Sequence, residues 1–232
     1  MHTKQIFITA TDTEVGKTEV AAALAGMWKE QHKPVQVWKP VQTGVTVGAP
    51  DADSYRLKWG SGTEQEEKDI ATYTFSQPLA PWIAAQHDKR EIDFSSLIEE
   101  GKNRCENSEY LIVEGAGGLA VPITEQHLMS TLIQALSLPI IIVARAGLGT
   151  VNHTLLSIEH AKTLQIPILG VILNQSTPQE EERIIENKTM IETFANVPVI
   201  GILPHMKQEK DQTLHRNKWI KALQNQPKLL EL

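Results

Sequence analysis

Six short runs of the chain are predominantly apolar: Gln5–Ala10, Val35–Lys39, Tyr110–Glu114, Pro139–Ala144, Ile168–Asn174 and Val199–Leu203. A strand with one wet face alternates between apolar and polar residues. Nearly unbroken runs of this length predict strands covered on both faces. Between them, apolar residues return with helical spacing. Val20–Leu24 with Met27 and Trp28 forms one such stripe, and Leu97-Ile98 marks another. Leu132-Ile133 with Leu136 comes next, then Leu155-Leu156 with Ile158, Ala161 and Leu164. Ile184-Ile185 with Ile191 and Phe194, and Trp219-Ile220 with Leu223, complete the series. Strands alternating with helices predict an α/β fold, a mostly parallel β-sheet flanked by helices on both faces. No Pro/Gly/Ser linker divides the chain, so a single domain is expected over 1–225, with 226–232 as a loose tail. Gly44–Lys68 is the least regular stretch, and its acidic run Glu64–Glu67 reads as solvated surface.

Composition narrows the partners. The 232 residues are 41% hydrophobic and 22% charged, ordinary for a globular protein, with a net charge of −6. That balance argues against a general binder of nucleic acid or of anionic membranes. Cys105 is the single cysteine, so no internal disulfide can form and a reducing compartment fits. Its polar surroundings offer no His or Asp partner, and it reads as an inert thiol. Met1–Lys4 runs straight into the first apolar run, so no secretory leader is expected, and no run reaches the roughly 18 residues of a membrane span. A cytoplasmic location is expected.

In such a sheet, ligands bind beyond the carboxyl ends of the strands, so the residues after each run carry the chemistry. After the first comes Ala10–Thr18, A-T-D-T-E-V-G-K-T. It matches the phosphate-binding loop G-x-x-x-x-G-K-[ST] except that Ala10 replaces the first glycine. Backbone N–H groups of such a turn wrap phosphates, Lys17 reaches the β/γ end and Thr18 reaches Mg²⁺. The missing glycine is tolerable if Ala10 keeps a negative φ and no phosphate crowds its Cβ. Glu114 ends the third run ahead of Gly115, Gly117 and Gly118, where a carboxylate opposite the loop threonine can hold a cation. Lys39 closes the second run. By itself it reads as a solvated strand-end lysine, and at this rim equally as a substrate-facing cation. Asp51 and Asp53 precede Tyr55-Arg56-Leu57, and on sequence alone a helix cap is the simpler reading than a metal ligand.

Taken together the motifs resemble dethiobiotin synthetases. The resemblance rests on T-D-T-E-V-G-K-T at Thr11–Thr18, W-K-P-V-Q-T-G at Trp38–Gly44, D-A-D at Asp51–Asp53, V-E-G-A-G-G at Val113–Gly118, Asn152-His153 and Asn174, in that order. It implies a P-loop NTPase fold. It also implies ATP-dependent carboxylation and ring closure of 7,8-diaminononanoate with CO2, with ATP and Mg²⁺ as cofactors. On this resemblance Glu14, Val15, Gly16, Lys17, Thr18 and Glu19 hold the phosphates. Thr18, Asp53 and Glu114 bind Mg²⁺, which moves Asp53 from cap to ligand. Lys39 and Lys17 are catalytic, and Thr43 binds the diamine. Gly115, Ala116 and Gly117 line the ATP site. Asn174, Gln175, Pro204, His205 and Met206 surround the adenine, with Asp211 a looser nucleotide contact. The resemblance further implies a homodimer with active sites at its interface, where Gly149, Thr150 and Asn152 receive the substrate's tail carboxylate from the other subunit. Three departures stand out: Ala10, Gln175 where an acidic residue often comes after the Asn, and Trp82 where a His is common, in a segment bordering the substrate pocket. Two rivals are a ParA/MinD-like switch ATPase and the synthetase half of a cobyrinic-acid amidotransferase. The first carries an early P-loop lysine that Ala10–Glu14 lacks, and this chain has no room for the second's glutaminase domain.

Overall fold

The computed structural model describes residues 4–207, 209 and 211–230. The runs predicted as strands are strands, and a further one joins them. The chain order is β1 (Lys4–Ala10), α1 (Lys17–Glu30), β2 (Val35–Thr43), α2 (Asp53–Ser61), β3 (Ala71–Phe75), α3 (Pro81–His87), α4 (Phe94–Glu106) and β4 (Tyr110–Gly118). It continues with α5 (Met129–Leu136), β5 (Ile140–Arg145), α6 (Thr150–Thr163), β6 (Ile168–Asn174), α7 (Glu181–Ala195), β7 (Val199–Leu203), α8 (Gln212–Gln224) and α9 (Pro227–Leu230). The sheet has seven strands in the order β3-β2-β4-β1-β5-β6-β7, and every ladder is parallel. The chain moves leftward from β1 to β3, returns to β4, then moves rightward from β5. The reversal therefore lies beside β1, where a ligand crevice is expected.

Alternate residues of each strand feed two separate cores. Phe7, Leu111, Val113, Ile140 and Ile142 pack under α3 to α7. Ile6, Ile8, Ile112, Ile141 and Val143 pack under α1, α2, α8 and α9. Both faces are covered, which explains the unbroken apolar runs. The helical stripes are narrower than the sequence suggests: Leu156, Ile185 and Phe194 are exposed.

The strand ends differ from the expected ones in a way that builds the site. β2 pairs with β4 only over Val35–Trp38 against Tyr110–Val113. From Lys39 onward β2 pairs with β3, while β4 runs on to Gly118. The two neighbours part just where Lys39 and Glu114 stand, so both side chains enter the gap from inside the sheet. Residues 226–230 do not trail away. Leu229 is fully buried, and Gln226 hydrogen-bonds both the N–H and the carbonyl of Ile202 at 3.2 and 3.1 Å. Among the described residues no helix is long and apolar enough to cross a membrane.

Candidate active site

The loop after β1 turns into α1 through two left-handed residues, Glu14 at φ 55° and Gly16 at φ 90°. Gly16 is also sterically required, because a Cβ there would collide with Asn174 Nδ2. That amide donates to the Val15 carbonyl at 2.9 Å and ties the loop to the end of β6. Ala10 is buried, keeps a negative φ, and pairs with Gly118 across β1 and β4. Gly118 has no room for a side chain, since a Cβ would meet the Ala10 carbonyl at 2.8 Å.

Behind this loop lies a network of buried charge. Lys39 is 2% exposed; its Nζ lies 2.7 Å from Asp53 Oδ2 and 2.7 Å from Glu114 Oε1, and donates to the Gly115 carbonyl at 3.1 Å. Thr18 Oγ1 lies 2.9 Å from Asp53 Oδ1 and 2.9 Å from Glu114 Oε1, though its one proton serves a single carboxylate at a time. Burial pulls the Lys39 ammonium toward neutrality, but Asp53 and Glu114 outweigh it and raise it above an ordinary lysine. Burial works against Asp53 as well, and Lys39 overrides it, holding that carboxyl below its usual range. At Glu114 burial wins and pushes the carboxyl up. Lys17 is pulled down by burial and by the neighbouring charge of Lys39.

Asp53 is therefore not a cap. The residue capping α2 is Ala52, and Asp53 begins the helix with its carboxylate turned inward. Ser54 fixes that orientation: its N–H donates to Gln42 Oε1 at 2.9 Å while Gln42 Nε2 donates back to Ser54 Oγ at 2.9 Å. The sequence reading missed this brace, although Gln42 sits inside the W-K-P-V-Q-T-G motif. It also missed Arg145, which forms an ion pair with Asp12 of the loop, and Arg56, which forms one with Glu19.

A cleft of about 550 Å³ brings together Glu14, Gly16, Lys17, Thr18, Glu19, Lys39, Thr43, Asp53, Glu114, Ala116 and Gly117, closed on one side by Pro78–Pro81. A smaller cavity of about 280 Å³ adjoins it, lined by Asn174, Gln175, His205 and Met206. Asn174 Oδ1 is buried without a partner. Val15 lies in the core and Gly115 packs on Phe7, so each has only backbone groups to offer the cleft. Pro204 is exposed. Asp211 caps α8, its Oδ1 accepting from the N–H groups of Thr213 and Leu214. Gly149, Thr150 and Asn152, at the start of α6, do not line this cleft.

The oxygen set suits a hard cation. Glu114 Oε2 is buried with no hydrogen-bond partner, and Thr18 and Asp53 add two further oxygens. Among the described residues no group of three or more His, Cys, Asp or Glu could hold a metal by itself. Such a site fits an ion that shares its coordination with substrate phosphates and water, the habit of Mg²⁺.

The sequence model of an AAA-domain family matches residues 4–213. The ATP-dependent dethiobiotin synthetase BioD of Bacillus thuringiensis (strain Al Hakam) is 46% identical over 203 residues, covering 88% of this chain and 84% of that protein. Its namesake from Bacillus cereus (strain AH820) is 45% identical over 214 residues, covering 91% and 88%. The chain belongs to the dethiobiotin synthetase family. As a dethiobiotin synthetase it is an ATP-dependent ligase. Its fold is shared more widely. A ParA family ATPase from Chlorobium tepidum TLS superposes with a TM-score of 0.57 at 15% identity, covering 100% of this chain and 96% of that one. MinD in the MinC:MinD cell division complex of Aquifex aeolicus gives 0.55 at 16%, covering 97% and 89%. The rival named from sequence thus shares the architecture, while the sequence identity lies with the synthetases.

Proposed function

We propose that the cleft carboxylates and cyclises 7,8-diaminononanoate, and that the buried Lys39 between Asp53 and Glu114 carries this reading. The diamine lies along Lys39 and Thr43, with one amine turned to CO2. That amine adds to CO2 and releases a proton to water, giving a carbamate whose negative oxygens face the Lys39 ammonium. A carbamate oxygen then displaces ADP from the γ-phosphorus, forming a carbamic–phosphoric anhydride. The second amine attacks the carbonyl carbon, the C–O bond to phosphate breaks, the departing phosphate takes the amine's proton, and the cyclic urea leaves with inorganic phosphate. The protein supplies position and charge and forms no covalent bond. Lys17 and the N–H groups from Glu14 to Glu19 hold the phosphates. Thr18, Asp53 and Glu114 would hold Mg²⁺, which neutralises charge on the phosphate oxygens. The free acceptor of Asn174 suits the exocyclic amine of adenine, with Gln175, His205 and Met206 around the ring.

The site is proposed to be completed by a second copy. Leu148 is 99% exposed just ahead of Gly149, and Leu156 on α6 is 63% exposed. Leu156, Ser157 and His160 line an open cavity with Thr11–Thr13 and Gly117–Val121, so a subunit seated there would lie against the loop. The enzyme is placed in the cytoplasm, where its nucleotide and a reduced Cys105 belong. Incubation with diamine, bicarbonate, ATP and Mg²⁺ should release ADP and cyclic urea together. ATP turnover indifferent to the diamine would sink the proposal.

A further inference from the structure

The proposed cations all stand at one end of the nucleotide. Lys17 and Lys39 crowd the γ-phosphate end, and the base end is lined by Asn174, Gln175, His205 and Met206. Between them two carboxylates line both cavities, Glu14 of the loop and Glu19 of α1. A sugar-side phosphate placed there would face carboxylates without a counter-charge, unless another element supplies one. Arg56 does. It is the residue of α2 that lines the phosphate cleft and the base-side cavity together, three residues after Asp53 and so on the same helical face.

We propose that Arg56 is a nucleotide-binding residue of this synthetase, its guanidinium reaching the α-phosphate of ATP from α2. The inference rests on the reading of the cleft as the ATP site. Glu19 aims the side chain. The ion pair sits over the loop, with Glu19 Oε2 only 3.8 Å from where a Cβ on Gly16 would stand. Among the described residues Glu19 is the one carboxylate within ion-pair distance of Arg56. A guanidinium carries five N–H donors in a planar fork, so one carboxylate leaves donors for a phosphate. At 34% side-chain exposure the group is half-shielded from water, where a charge-assisted bond keeps more of its strength. α2 itself is held by the Ser54–Gln42 brace, so the arginine approaches from a fixed base.

Steady-state kinetics on the full chain test this. Arg56→Ala should raise KM for ATP by about 10- to 100-fold, the range of a lost charge-assisted hydrogen bond, with KM for the diamine within about twofold of the parent. Arg56→Lys should recover part of the loss. Inorganic tripolyphosphate, competing with ATP, should weaken by a similar factor in Arg56→Ala. An ATP KM within about twofold of the parent overturns the proposal. So does a rise in diamine KM equal to that for ATP, which would mark a disturbed α2. Unchanged tripolyphosphate inhibition beside a raised ATP KM overturns the phosphate assignment. ATP dependence of the parent enzyme is read in the same assay, so loss of the ATP-site reading is distinguishable from loss of this one.

Discussion

Lys39 shows how much a single position can carry. A strand-end lysine would be a dispensable solvated charge, but this one is buried against two carboxylates. Lys39→Ala should abolish ring closure and also lower stability by about 3–5 kcal/mol, because it leaves buried charge without its partner. Denaturant unfolding beside the ADP-release assay would read both losses. Ala10 carries the opposite lesson. Its φ is negative and its Cβ is accommodated in the core, so the loop does not need the missing glycine. Ala10→Gly should leave KM for ATP within about twofold while costing about 0.5–1 kcal/mol from the greater freedom of the unfolded chain. Most residues that line the cleft were legible because their motifs fix both residue type and rim position. Asp211 reads two ways in the sequence because a carboxylate just before a helix serves a cap as readily as a ligand, and the cap is the role its hydrogen bonds to Thr213 and Leu214 display. Arg56 and Arg145 were missed because neither belongs to a phosphate-binding pattern; each matters through a partner distant in sequence.

At the level of elements, the strands were legible wherever both faces are covered. β3 was not. Its A-T-Y-T-F run alternates polar and apolar residues, as an edge strand can, and lies beyond the most irregular stretch. Its absence from the sequence reading shortened β2 as well, since the second half of β2 is held by β3. Close packing between elements gives another test. Gly101 lets α4 approach the sheet: a Cβ there would meet Leu136 at 2.6 Å and the Trp38 ring at 2.9 Å. Trp38 is pinned by a 2.8 Å hydrogen bond to Thr72 and cannot easily give way. Gly101→Ala should therefore destabilise by about 1 kcal/mol net, overpacking exceeding the gain in helix propensity. Thermal unfolding would check the sign.

For the whole molecule, a pairing of subunits over α6 predicts a coupling between assembly and activity. Leu156→Glu should shift sedimentation toward the monomer and depress ring closure, with the chain still unfolding cooperatively from a somewhat lower midpoint. A dimer retained at full activity would place the interface elsewhere. The C-terminal hook of α9 has a practical side. Leu229 lies against Gly201 of β7, and the base-side residues His205 and Met206 come directly after that strand. A substitution that loosens α9 would therefore pull on the same anchor that steadies the turn after β7. Anyone immobilising or labelling this enzyme would do better to choose a position away from α9.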